Sequence, residues 1–107
     1  MQANRWEVAR RFAQEYGHVL VLKGAGTVVT DKSGKLWINS TGNPGMAKGG
    51  MGDALTGIIG ALLAQGLSPF DAARTGVFVH GRAGDVAAEK RGEASMLATD
   101  LIEALSL

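Results

Sequence analysis

An α/β fold is predicted by three observations. The chain opens on a helix-periodic stretch, continues through three short runs rich in apolar and β-branched residues, and ends in three helix patterns behind a glycine-rich segment. Its 107 residues suffice for one small domain with a modest core.

Trp6, Ala9, Phe12 and Ala13 recur at helical spacing, which predicts an amphipathic helix over about 3–16, closed by Gly17. His18-Val19-Leu20-Val21-Leu22 is a continuous apolar run that suits a fully buried strand of a parallel sheet. Lys23-Gly24-Ala25-Gly26 interrupts it. Two more strands are expected over 27–31 and 35–39, joined by Lys32-Ser33-Gly34, a hairpin signal. A helix over about 53–65 is apolar on nearly every side and stops at Gly66. Ser68-Pro69-Phe70-Asp71 is a second start signal, with Ser68 as N-cap and proline at the first helical position, leading a helix to about residue 89 that Lys90-Arg91-Gly92 ends. A last short helix is expected over about 100–105, capped by Thr99. A parallel strand needs crossover partners, and this chain holds too few βαβ units to cover both faces of a sheet, so part of the domain is expected to be missing.

Composition is ordinary: 46% hydrophobic, 20% charged and a formal net charge of +1, which argues against a general nucleic-acid or membrane-surface binder. With no cysteine, disulfide frameworks and thiolate metal sites are excluded, and the chain suits a reducing cytoplasm. Arg5, Glu7, Arg10 and Arg11 interrupt what a secretory signal needs as an apolar run, and no stretch reaches the length of a membrane span.

Chemistry concentrates in Thr41-Gly42-Asn43-Pro44-Gly45-Met46-Ala47-Lys48-Gly49-Gly50-Met51-Gly52-Asp53, where five glycines precede one carboxylate at a helix start. Glycines let backbone N–H groups approach a phosphate, and a helix beginning near Gly52 aims unpaired donors and the positive end of its dipole there. Asp53 would not assist anion binding, so it makes sense as a proton acceptor beside a transferring phosphoryl group. The plainer alternative is a loop with an N-cap aspartate. Two glycine clusters without a serine tract are poorly explained as a flexible linker.

Val21-Leu22-Lys23-Gly24-Ala25-Gly26-Thr27, Gly42-Asn43-Pro44-Gly45-Met46-Ala47, Gly49-Gly50-Met51-Gly52-Asp53 and Leu55-Thr56-Gly57-Ile58-Ile59 together resemble the ADP-dependent NAD(P)H-hydrate dehydratase family. Further stretches, among them Val79-His80-Gly81, Ala83-Gly84-Asp85 and Met96-Leu97-Ala98-Thr99-Asp100-Leu101, extend the resemblance through nearly the whole chain, in family-like order and spacing. It implies a carboxy-terminal portion of a ribokinase-like three-layer α/β/α fold, with residues 1–107 as a partial catalytic domain and no second domain. The implied activity is ADP-dependent removal of water from hydrated NADH or NADPH, with ADP or ATP as co-substrate and Mg2+ carried on the nucleotide phosphates. Asp53 would contact the hydrated dinucleotide and act as base, assisted by the N–H groups of Gly50, Met51 and Gly52. Lys23, Gly24, Ala25, Gly26 and Thr27 would lie against the nucleotide, and Gly52 beside its phosphate or ribose. Lys48 departs from the small hydroxyl residue common in the family; it either attracts phosphate or points into water, the latter being favoured.

Other polar residues carry less. His80 is expected to be packed or helix-bonded, His18 structural, and Asp85 and Asp100 surface or capping carboxylates, with no metal site. Trp6 and Trp37 are assigned to packing. Apolar surface left by a missing half favours a homo-oligomer in the cytoplasm, with no nucleic-acid or membrane partner. Two alternatives remain open: a ribokinase-like small-molecule kinase such as a vitamin-precursor kinase, and a non-catalytic nucleotide-binding or assembly fragment.

Overall fold

The computed structural model describes residues 2–23 and 26–105, the side chains from residue 6 onward. Helix α1 (Gln2–Tyr16) leads into a three-stranded sheet of β1 (Leu20–Leu22), β2 (Val28–Thr30) and β3 (Leu36–Ile38). A 3-10 turn (Pro44–Met46) then precedes α2 (Met51–Ala64), α3 (Pro69–Arg91) and α4 (Ala98–Glu103). Among the described residues no helix is long and apolar enough to cross a membrane.

The strands lie in sequence order and both pairings are antiparallel, Val21 opposite Val29 and Val29 opposite Trp37. This corrects the parallel, fully buried strand expected at 18–22: β1 is half-buried and pairs with the hairpin that follows it. A short apolar run reads alike in either sheet type, since partner direction is not encoded in the strand itself. The hairpin is as expected. Asp31 Oδ1 accepts from Ser33 N–H, Ser33 Oγ–H and Lys35 N–H, closing the turn over Ser33 and Gly34. These bonds hold the Asp31 carboxyl below its ordinary range, the Ser33 hydroxyl contributing most.

Val29 at the sheet centre packs with Leu55 of α2 and Phe70, Ala73 and Val77 of α3, one core shared by sheet and helices. A second cluster joins Met51, Ala83, Ala87, Met96 and Leu101, so the short α4 is fixed to the start of α2 and the end of α3. Helix α3 starts as its sequence requires: Ser68 Oγ accepts from Asp71 N–H and Pro69 occupies the first turn. Helix α4 begins earlier than expected and Thr99 is not its cap. Leu97 takes that position, because the Asp100 carboxylate reaches back to accept from Leu97 N–H at 2.8 Å.

Candidate functional site

The first turn of α2 is set by its own residues together with His80 of α3 and Lys23 just after β1. Gly50, its N-cap, has φ of 85°, a conformation open to glycine at little cost, and offers no side chain to cap the helix. Met51 is buried, and its carbonyl oxygen accepts from Nε2–H of His80 on α3 at 2.9 Å. The Gly52 carbonyl accepts from the Thr56 hydroxyl at 3.0 Å, which stiffens the turn from within. Lys23, just after β1, brings its ammonium against Gly52: a Cβ placed on Gly52 would meet Lys23 Nζ at 3.1 Å.

These groups edge a cavity of about 790 Å³ between Lys23, Gly26 and Thr27, the 39–47 loop, the start of α2 and the middle of α3. Lys23, Gly26, Thr27, Met51, Gly52 and His80 contribute to its lining. Thus Lys23, Gly26, Thr27, Met51 and Gly52, the five of these that the sequence resemblance assigned to the nucleotide or to catalysis, come to one place. Gly24 and Ala25, assigned with them to the nucleotide, lie outside the described residues. Gly50 and Asp53 are not part of the lining; Asp53 is the third residue of α2 and exposed, beside the cavity mouth formed by Gly52. Gly52 N–H stands in the first turn, ahead of the intrahelical ladder. Met51 N–H already closes a turn onto the Lys48 carbonyl, at 3.3 Å.

The opposite wall, residues 39–47, is seated on α3. The Thr41 hydroxyl is shared between Asn39 Oδ1 at 2.9 Å and the Phe78 carbonyl at 3.1 Å. Gly81 lies beneath Thr41 so closely that any Cβ there would overlap the threonine. Asp85 accepts twice, from Gly42 N–H at 3.0 Å and from Asn43 Nδ2 at 2.8 Å, while Asn43 Oδ1 accepts from Gly45 N–H. Asp85 is therefore neither a plain surface carboxylate nor a helix cap but the clamp that holds this loop. Nothing local to residue 85 signals this, because its partners are 42 and 43 residues away. Asp100 does cap, as expected, and pairs with Arg91 at 3.5 Å.

Two further expectations are resolved by contacts. Lys48 neither points into water nor faces the cavity: its ammonium donates to the carbonyls of Glu93, Ala94 and Met96 at 3.1, 2.8 and 2.7 Å. His80 is packed as expected, but its partner is the carbonyl of another helix rather than its own. Burial, opposed by the Met51 bond and reinforced by the Lys23 charge, holds the His80 imidazole below the ordinary histidine value of 6.5. Among the described residues no three His, Asp or Glu side chains converge as a metal site.

The family model described as NAD(P)H-hydrate dehydratase matches residues 1–107. The bifunctional NAD(P)H-hydrate repair enzyme of Escherichia coli is 55% identical over 105 residues, a match covering 98% of this chain and 20% of the relative. The solved structure of the ADP/ATP-dependent NAD(P)H-hydrate dehydratase of Bacillus subtilis, co-crystallised with ATP and Mg2+, superposes with a TM-score of 0.90 at 36% identity, covering 96% of this chain and 37% of that one. A ribokinase-like superfamily protein of Enterococcus faecalis gives a TM-score of 0.76 at 37% identity, over 90% of this chain and 33% of its own. The chain spans about a fifth of the length of the bifunctional relatives. With the family model matched along residues 1–107 and the fold shared with these solved structures, the chain belongs to the NAD(P)H-hydrate dehydratase family, as a part of its ribokinase-like α/β fold.

Proposed function

We propose that this chain supplies the nucleotide-side portion of an ADP-dependent dehydratase acting on hydrated NADH or NADPH. The observation that carries the reading is the Lys23 ammonium lying against Gly52 at the start of α2, one residue before Asp53 and at the edge of the cavity. A point charge and a helix N-terminus converging on one spot favour a phosphate there.

Hydroxide is a poor leaving group near neutral pH, and a phosphoryl group transferred onto the ring hydroxyl converts it into phosphate. The bond from the terminal phosphorus of ADP to its bridging oxygen breaks, releasing AMP, as the ring oxygen bonds to that phosphorus. Asp53, exposed on the first turn, takes the hydroxyl proton. The ring nitrogen's lone pair then expels phosphate, and loss of a neighbouring ring proton restores the dihydronicotinamide. Gly50 and Gly52 N–H groups stabilise charge on the phosphoryl oxygens, while Met51 N–H is at most a shared donor because it also closes onto Lys48. Gly26 and Thr27, with the adjoining Gly24 and Ala25, flank the nucleotide. ATP in place of ADP would leave ADP as the product of the same step. Magnesium fits here as an ion carried by the nucleotide phosphates, since among the described residues no cage of carboxylates is offered.

The test is the full-length polypeptide carrying this chain, assayed for recovery of NADH from its hydrate with and without ADP. Asp53→Asn is expected to lower turnover by roughly 10²- to 10⁴-fold while ADP binding persists. Undiminished turnover would remove Asp53 from the role of base.

A further inference from the structure

The segment leading into α2 poses a mechanical problem. Gly49 and Gly50 are the residues with the greatest backbone freedom, yet they immediately precede the turn whose N–H groups must hold a fixed direction. Helix α2 has no side-chain N-cap to supply that order. His80 fixes the turn from one side, through the Met51 carbonyl.

Lys48 faces the other side. Its ammonium has three protons, and each has a carbonyl: Glu93 at 3.1 Å, Ala94 at 2.8 Å and Met96 at 2.7 Å. These carbonyls belong to the turn just past Gly92, the C-cap of the 23-residue α3, where the negative end of the helix dipole favours a cation. The nest is rigid because Met96 between α3 and α4 is fully buried against Met51, Ala83 and Leu101. The Lys48 backbone carbonyl in turn accepts from Met51 N–H, so the same residue grips the α3–α4 turn with its side chain and the first residue of α2 with its main chain.

We propose that Lys48 is a positioning residue: a tethered cation that fills a three-carbonyl nest and thereby fixes the direction of the glycine turn at the start of α2. Its catalytic consequence rests on the dehydratase reading; the tether itself does not. Removing the ammonium frees 48–50 while leaving the body of α2 and α3 packed.

The experiment is amide hydrogen exchange on the full polypeptide carrying this chain, with Lys48→Met, which keeps an apolar stem, and Lys48→Ala, which empties the nest. Met51 and Ala54 amides, which donate to Lys48 and Gly50, are expected to lose about tenfold or more in protection, with Gln65 and Ala72 amides unchanged. Ammonium chloride should restore protection in Lys48→Ala, whereas tetramethylammonium chloride at equal ionic strength, a cation without N–H donors, should not. Unchanged Met51 and Ala54 amides, or loss spread equally to Gln65 and Ala72, would overturn the proposal, as would equal effects of the two salts. Should either variant fail to fold, 15N NMR of the unsubstituted protein decides: the Lys48 ammonium protons should exchange far more slowly than those of exposed Lys32, and equal rates would overturn it. In the dehydration assay, Lys48→Met is expected to raise KM for ADP about tenfold with a smaller change in kcat. The exchange arm reads the tether whether or not dehydration is observed, so failure of the two ideas is distinguishable.

Discussion

Nε2 of His80 donates to the carbonyl oxygen of Met51 across 2.9 Å, joining the middle of α3 to the first residue of α2. A carbonyl can only accept, so this bond requires a protonated Nε2 and is made by the neutral ring.

Stability should therefore depend on pH through His80. Its folded-state value lies below 6.5, burial being the main cause and the Lys23 charge a further one. The unfolded chain binds the proton more readily, so stability rises with pH across this window. It is fully present above 6.5 and is lost as pH falls from there toward the lower folded value. Between about pH 7.5 and 5.5 the unsubstituted chain should lose more melting temperature than His80→Gln, which keeps a donor without the titration. Parallel curves would remove His80 as the cause.

Lys23→Ala is expected to weaken ADP binding about ten- to a hundredfold, the scale of a charge-assisted contact to phosphate. Calorimetric titration of the full-length parent reads this directly. Affinity equal to the unsubstituted protein would leave Lys23 as a solvated residue ending a strand.

Two glycine-to-alanine changes should act in opposite directions. At Gly81 the new methyl would overlap Thr41, whose backbone is fixed, so the 39–47 loop must shift at a cost of about 1–3 kcal/mol. At Gly57 on α2 nothing described lies within 4 Å, and alanine should add about 0.5–1 kcal/mol of helix stability. Urea unfolding measures both; a Gly81→Ala that does not destabilise would contradict the packing of Thr41 on α3, and a destabilising Gly57→Ala would contradict the open space at that position.

Asp85→Ala leaves Gly42 N–H and Asn43 Nδ2 without their shared acceptor and should cost about 1–3 kcal/mol. Asp85→Asn, which retains one carbonyl oxygen, should cost less. Chemical-shift changes should centre on 41–46, and changes confined to α3 would argue against the clamp.

Much of the scaffold is legible along the chain because its signals are local. Ser68-Pro69 starts α3, Gly92 ends it, and Asp31 with Ser33 and Gly34 turns the hairpin, each within a few residues. The glycine turn and Lys23 are also legible, the latter through family resemblance more than through physics. What escapes is set by partners distant in sequence. Direction of pairing in β1, the Asp85 clamp, the His80 bond and the Lys48 nest join residues from 6 to 48 positions apart, and a side chain carries no mark of which carbonyl it will meet. The start of α4 fails for a subtler reason: Thr99 is a good cap by type, yet Asp100 supplies an acceptor to Leu97 one turn earlier.

The Asp85–Asn43 bond also bears on how the protein ages. Hydrolysis of the Asn43 amide would turn a donor into a second carboxylate facing Asp85, replacing attraction with repulsion at the edge of the cavity. The fast route to that damage is attack on the side-chain carbonyl by the backbone nitrogen of the next residue. That residue is Pro44, whose ring nitrogen carries no hydrogen, so the ring-closed intermediate cannot form in the usual way. Asn43 and Pro44 together thus give the loop a chemical lifetime that an asparagine followed by glycine would lack.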